Sequence, residues 1–302
     1  MKKIFITGAT GFTGMHACEY FLQKGFDVYG GVRQKNHPCN KVKSIQYDLT
    51  DAKGLERIME SILPDFILHL AAQNHAGMSS IDPAATFQVN LFGTLNLLEA
   101  VRKKAPKTIT LVTGSVIDFK PCGPEIPEHP YGLSKYMQIL LSSSWSSMYG
   151  LDIRIARPSN LIGPGPSNGI CSLLAQKCLT SGKNEKGRFH FTNILDQRDF
   201  IDVRDVLRAY DSILTYGKQG FPYTVASGNN RTFLEAARAI RALAKSDISL
   251  TTDRFEQTKS ESFDITEIKS LGWEPSIPFE QSLKDIIQYV NDETYSEEKK
   301  AE

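Results

Sequence analysis

Tyr131 and Lys135 stand four residues apart in the run Tyr131-Gly132-Leu133-Ser134-Lys135. On a helix that spacing sets both side chains on one face. An ammonium beside a phenol favours the phenolate and draws a pKa that starts near ~10 toward working pH. The pair can then act as a general acid or base, and the lysine can also reach ribose hydroxyls. Such a pair, taken alone, is also what a solvated helix surface carries. Its position gives it weight, because it follows an apolar run, Ile109–Thr113, that ends in Gly114-Ser115. The Ser115 hydroxyl can hold a reacting oxygen. Ser115, Tyr131 and Lys135 are therefore the candidate catalytic residues.

A second chemistry lies at the start of the chain. Gly8-Ala9-Thr10-Gly11-Phe12-Thr13-Gly14 follows the apolar run Ile4–Thr7 and opens a helical pattern. Glycines there allow a tight turn, admit a pyrophosphate close to the backbone, and let helix pack on strand. The candidate cofactor-binding residues are Gly8, Thr10, Gly11, Phe12, Thr13 and Gly14. The next apolar run ends Tyr29-Gly30-Gly31-Val32-Arg33, without the carboxylate that holds ribose hydroxyls in an NAD site. Arg33 is placed to pair with a 2′-phosphate, so the expected cofactor is NADP(H).

These groups need strand ends and helix starts to position them. Strands are expected at Ile4–Thr7, Val28–Val32, Ser44–Tyr47, Phe66–Leu70, Ile109–Thr113 and Ile153–Ala156, with amphipathic stretches between them. That alternation implies right-handed βαβ units and a parallel sheet covered on both faces. The expected fold is α/β, a Rossmann-type doubly wound sheet over residues 1–158, with parts of 192–226 returning to it. After Pro158 the texture changes, with Pro164 and Pro166 among Gly163, Gly165 and Gly169. Residues 159–302 are expected to form mainly a smaller, interleaved substrate-binding region. Helices are expected near 170–181, 203–215, 232–245 and 279–291, the last followed by a frayed charged tail, Glu297-Glu298-Lys299-Lys300.

Composition bounds the partners. The 302 residues carry 41% hydrophobic and 23% charged residues, and Lys+Arg at 35 balance Asp+Glu at 34. No basic excess marks a nucleic-acid surface. The five cysteines (Cys18, Cys39, Cys122, Cys171, Cys178) are odd in number and lack C-x-x-C spacing, which suits a reducing cytoplasm rather than a disulfide framework. The six histidines form no H-E-x-x-H or Cys/His cluster, so no metal is expected. The first apolar run is too short for a signal peptide or membrane span.

Taken in order, the motifs resemble those of extended short-chain dehydrogenases over nearly the whole chain. They are the glycine turn, Asp48-Leu49, His69-Leu70-Ala71-Ala72-Gln73, Asn90-Leu91-Phe92-Gly93-Thr94, Ser115, and Tyr131 with Lys135. They continue in Arg157-Pro158-Ser159-Asn160, Arg198-Asp199-Phe200-Ile201-Asp202-Val203-Arg204-Asp205 and Leu271-Gly272-Trp273-Glu274-Pro275. The resemblance implies that Asp48 and Leu49 border the adenine. It adds Leu70, Ala71, Ala72, Gln73, Asn90 and Arg157 to the cofactor-binding residues. It also implies that Asn160, Arg198 and Arg254 hold the diphosphate of a sugar nucleotide.

Within the family the chain is most similar to reductases of nucleotide-linked 4-keto-6-deoxyhexoses, such as GDP-4-dehydro-6-deoxy-mannose reductases. A 4,6-dehydratase commonly has a carboxylate just after the serine, where this chain has Val116-Ile117. A 4-epimerase fits poorly with the missing carboxylate after the second strand. A cofactor-binding regulatory module without turnover is the third reading. Two features depart from the family: the short segment from Ser115 to Tyr131, with Pro121-Cys122-Gly123-Pro124, and Gly114 in place of a second serine or threonine. They leave the sugar and the base open. The family resemblance also implies a homodimer through helices near 82–104 and 130–149, with Leu91, Leu95, Leu98 and Val101 as a stripe facing either the partner or the chain's own sheet.

Overall fold

The computed structural model describes residues 1–33, 36–116, 129–180, 187–258 and 262–301, and side chains up to Glu293. Pro121-Cys122-Gly123-Pro124 and Ile117 lie outside the described residues. The strands are β1 (Lys3–Thr7), β2 (Asp27–Val32), β3 (Lys43–Gln46), β4 (Phe66–His69), β5 (Ile109–Thr113), β6 (Ile153–Pro158), β7 (Asn160–Ile162), β8 (Arg188–Asn193), β9 (Gln197–Asp202), β10 (Pro222–Val225), β11 (Asn230–Thr232) and β12 (Ser249–Arg254). The helices of the first half are α1 (Phe12–Gln23), α2 (Ala52–Ile62), α3 (Ala76–Ile81), α4 (Pro83–Phe87), a π-helical turn (Gln88–Phe92), α5 (Gly93–Lys104) and α6 (Pro130–Tyr149). Those of the second half are α7 (Ile170–Thr180), α8 (Val203–Tyr216), α9 (Phe233–Ala244), α10 (Thr266–Lys269) and α11 (Phe279–Ala301).

The chain divides into two compact units. The first comprises Met1–Pro158, Leu207–Val225 and Glu267–Trp273. Its sheet runs β10-β6-β5-β4-β1-β2-β3, with every neighbouring pair parallel. This is the doubly wound order, in which the carboxyl ends of the strands face ligands. The apolar runs read as strands because helices bury both faces: Ile4, Phe5, Ile6, Ile67 and Leu68 have no exposed surface. Phe5, Leu55, Met59, Ile67, Leu97 and Val101 pack α2 and α5 onto the sheet. Leu98 joins Val112, Leu151 and Ile153. Leu98 and Val101 therefore face their own sheet, while Leu91 and Leu95 are half-buried, so the four do not form one outward stripe.

The helix expected over 82–104 is divided. A π turn (Gln88–Phe92) lies between α4 and α5, and Asn90 within it and Thr94 just after it are fully buried. The second unit comprises Ser159–Val206, Ala226–Thr266 and Glu274–Glu302. It has its own core, in which Ile162, Leu174, Phe191, Phe200, Ile240 and Leu283 pack together. The tail expected to fray continues as helix to Ala301. Glutamate, lysine and alanine are good helix formers, and neither glycine nor proline follows Phe279 to stop the helix.

Candidate active site

The strand ends of the first unit bring its candidate residues together. After β1, Gly8 takes a left-handed φ of +68°, where a Cβ would press on the Ala71 backbone at 3.1 Å. A Cβ at Gly14 would collide with the Gly8 carbonyl oxygen. The turn is thus closed by backbone packed on backbone, which glycine alone permits. The first-turn N–H groups of α1 have no side-chain cap, since Gly11 is the N-cap. Open N–H groups at a twelve-residue helix suit an anion. The Gly8 N–H donates to the Tyr47 hydroxyl at 3.1 Å, a brace the sequence reading missed. Tyr47 is buried, immediately before Asp48-Leu49.

Arg33 is exposed at the end of β2, and its charge acts on Tyr47 and Asp48. Asp48 accepts from the Thr50 N–H and hydroxyl, both at 2.8 Å, and these bonds hold its carboxyl below the usual range. Leu49 is buried, and a Cβ at Gly93 would lie 2.9 Å from its own Cβ. His37, another residue the sequence reading missed, is buried a few residues beyond Arg33. Its Nδ1 accepts from the Cys39 N–H at 3.1 Å, and burial lowers its pKa.

After β4, the N–H groups of Leu70 and Ala71 donate to Thr7 Oγ1, each at 3.1 Å. Ala72 and Gln73 continue that half-buried segment. Asn90 does not offer its amide to a ligand. It is fully buried, binds both backbone groups of Gln73 (2.7 and 2.9 Å) and donates to Ser134 Oγ at 2.9 Å. A buried amide must find such partners, and the π turn presents Asn90 to them. Its part is to pin the segment after β4 to α6.

Ser115 is buried beyond β5, and α6 presents Tyr131 and Lys135 beside it. The helix starts there because His129 Nδ1 caps the Gly132 N–H at 3.0 Å and Pro130 holds the first position. Tyr131 shares a side-chain hydrogen bond with Ser115. Burial raises the Tyr131 pKa and the Ser115 bond opposes it. The expected lowering by Lys135 is therefore not what governs the tyrosine here. Lys135 points away from bulk water, donating to the Thr113 carbonyl and Gln138 Oε1, both at 2.8 Å. Burial brings its pKa down to about 7. Val116, next to Ser115, is buried and apolar. Arg157 is half-buried on β6, in register with Thr224.

In the second unit, Asn160 Nδ2 donates to the Asp199 carbonyl at 3.0 Å. Arg198 lies over the Phe233 ring at 5.4 Å, donates to the Gln197 carbonyl at 2.7 Å and sits 3.6 Å from Asp196. Arg254 is exposed at the end of β12 and in register with Asn193, whose amide donates to Asp196 at 2.7 Å. Asp196 thus ties Arg198 on β9 to Asn193 on β8, the strand that pairs with β12. The motif aspartates hold structure: Asp199 accepts from Ser159, Ser227 and Asn229, and Asp202 from Arg204 and Ser282.

Comparison with known proteins places this architecture. The model of the NAD dependent epimerase/dehydratase family matches residues 4–226. A GDP-6-deoxy-D-mannose reductase of Pseudomonas aeruginosa is 30% identical, covering 95% of this chain and 96% of that protein. A dTDP-D-glucose 4,6-dehydratase of Mus musculus is 24% identical over 95% of this chain and 88% of its own length. Among solved structures, RMD from Pseudomonas aeruginosa complexed with NADPH superposes with a TM-score of 0.81 at 28% identity, covering 97% of this chain and all of that one. The Thermus thermophilus UDP-glucose 4-epimerase complex with NAD gives 0.83 at 24% identity, over 96% and 99% of the two chains, and shows the shared fold.

Proposed function

Because this chain belongs to the NAD dependent epimerase/dehydratase family, an extended short-chain dehydrogenase, we propose that it reduces the C4 ketone of a nucleotide-linked 4-keto-6-deoxyhexose with NADPH. One observation carries the choice among the family's chemistries. Among the described residues the Ser115–Tyr131 pair offers one proton donor, and its neighbour is the buried, apolar Val116 rather than a carboxylate. Elimination of water needs a further acid and base there, whereas ketone reduction needs one proton. The relative named for GDP-6-deoxy-D-mannose reduction and the NADPH-complexed neighbour support the same reading.

The residues fit the cofactor: backbone closure at Gly8 and Gly14, the uncapped first turn of α1 for a pyrophosphate, and Arg33 for a 2′-phosphate. NADPH, when bound, supplies the hydride. Tyr131 gives its proton to the oxygen of the reduced carbonyl and regains one from solvent. Ser115 holds that oxygen and the tyrosine in line. Lys135 keeps an N–H for the ribose. Asn160, Arg198 and Arg254 bind the sugar nucleotide's diphosphate.

Incubation with NADPH and a panel of GDP-, UDP-, CDP- and dTDP-linked 4-keto-6-deoxyhexoses tests the reading. Loss of NADPH matched by appearance of the 4-hydroxy sugar supports it. Interconversion of 4-hydroxy epimers without net NADPH use would show an epimerase instead, and binding without turnover a regulatory module. The enzyme works in the cytoplasm in this reading, consistent with four free cysteines among the described residues and no described helix long and apolar enough to cross a membrane. It forms a homodimer through α6 and the π turn, where Met137, Leu140, Met148 and Phe92 stand exposed.

A further inference from the structure

Lys135 enters a buried chain of side chains whose donors and acceptors can be assigned one by one. Thr94 Oγ1 has one proton, and it goes to the Asn90 carbonyl at 2.7 Å. The same oxygen lies 2.7 Å from Gln138 Nε2 and 3.0 Å from His69 Nε2, so both of those nitrogens must donate to it. The Gln138 amide then has one orientation: Nε2 toward Thr94 and Oε1 toward Lys135, 2.8 Å away. His69 carries its proton on Nε2, and its Nδ1 accepts from the Thr7 hydroxyl at 2.8 Å. The Thr7 oxygen receives the Leu70 and Ala71 N–H groups. Gln138, Thr94 and His69 are essentially inaccessible to solvent. The chain therefore runs from the strand that precedes the glycine turn to the ammonium.

We infer that Gln138 is a positioning residue for Lys135, its carbonyl oxygen fixed by the Thr94–His69 chain so that it holds one N–H of the ammonium and leaves another for ligand. Lys135 has three hydrogens when charged; the Thr113 carbonyl takes one and Gln138 the second. Both acceptors are neutral, so the amide dipole is what stabilises the buried charge beside the Thr113 carbonyl. Of the titratable groups nearby, His69 on β4 feels the lysine's charge, and Tyr131 on the lysine's own helix acts in turn on Tyr210 of α8. His69 stays neutral in this arrangement, its pKa lowered to about 3 by burial first and the lysine's charge second. The inference rests on the proposed role of Lys135 at the cofactor.

The test is the pH dependence of NADPH affinity, read by cofactor fluorescence in the full-length protein without any sugar. Affinity falls as Lys135 loses its proton, and Lys135→Met removes that limb, which separates it from the acid limb of the 2′-phosphate itself. Gln138→Met deletes the acceptor and moves the limb down by about one pH unit, while Gln138→Glu adds a charge and moves it up by about as much. A purely structural role changes stability and leaves the limb in place. A limb unmoved in folded Gln138→Met and Gln138→Glu overturns the inference while the cofactor reading stands. A limb that survives Lys135→Met overturns it too. A wild-type protein that binds no NADPH overturns the cofactor reading, and the inference with it.

Discussion

Removing the Tyr131 hydroxyl separates binding from chemistry. Tyr131→Phe keeps the ring in place, so NADPH affinity changes little, while lost proton transfer cuts turnover by about 10²–10⁴. Steady-state kinetics on the substrate identified by the panel decides it: retained turnover means that the proton comes from elsewhere. Ser115→Ala costs less, because the serine orders and polarises without transferring the proton, though groups acting together are not additive. Arg33 offers an independent check at the other end of the cofactor. Arg33→Ala weakens NADPH by roughly 1.5–3 kcal/mol, the scale of a charge-assisted contact, and leaves NADH nearly unchanged. Titration with both cofactors measures the difference, and equal losses would show that Arg33 does not read the phosphate.

Elements explain why one departure from the family pattern is tolerated. A Cβ at Gly114 would meet the Ile139 side chain at 2.6 Å, so Ile139 of α6 fills the space a serine would occupy at the end of β5. Gly114→Ser therefore overpacks a closed contact and costs about 1–3 kcal/mol, seen as a lower Tm. Adding Ile139→Val restores part of it, since the two positions touch and their effects are coupled; strictly additive losses would show the contact to be soft. The sequence makes some of this legible and some not. Six of the seven strands of the large sheet could be read, the inner ones because burial on both faces demands unbroken apolar runs, whereas β10 was not among the expected strands. The glycine turn could be read because close backbone packing demands glycine. The π turn at Gln88–Phe92 has no such signature, since its residues are ordinary helix residues. Gln138 was hidden for a related reason: a polar residue inside a helix pattern looks like its solvated face until its partners are known, and Thr94 stood out only as part of a motif. Gly114 was visible as an anomaly, but its partner Ile139 was visible only in three dimensions.

At the scale of the whole molecule, buried ionisable groups couple the fold to pH. His69 has its folded pKa lowered to about 3, below the ~6.5 of the unfolded chain, so between those values the unfolded state binds the extra proton. Its contribution is present above about pH 6.5 and is lost as pH falls toward 3, at a slope of up to ~1.4 kcal/mol per pH unit. Denaturant titrations between pH 4 and 7 should show a shallower slope for His69→Gln than for wild type, and parallel slopes would place the acid sensitivity elsewhere. Assembly is the remaining property of the whole chain. Met137, Leu140 and Met148 recur at helical spacing along one side of α6, with Phe92 on the π turn packed against that helix, and all four are exposed. Apolar side chains ordered along one helix face are what a subunit interface buries. The inward-facing Leu98 and Val101 of α5 are already committed to the sheet, so if the proposed dimer forms through α6, charge placed there disturbs it without disturbing the core. Met137→Lys combined with Leu140→Glu should halve the mass measured by light scattering at micromolar concentration, while circular dichroism stays as in wild type. A wild type that is already monomeric, or a double variant that keeps the full dimer mass, places the contact elsewhere or removes it.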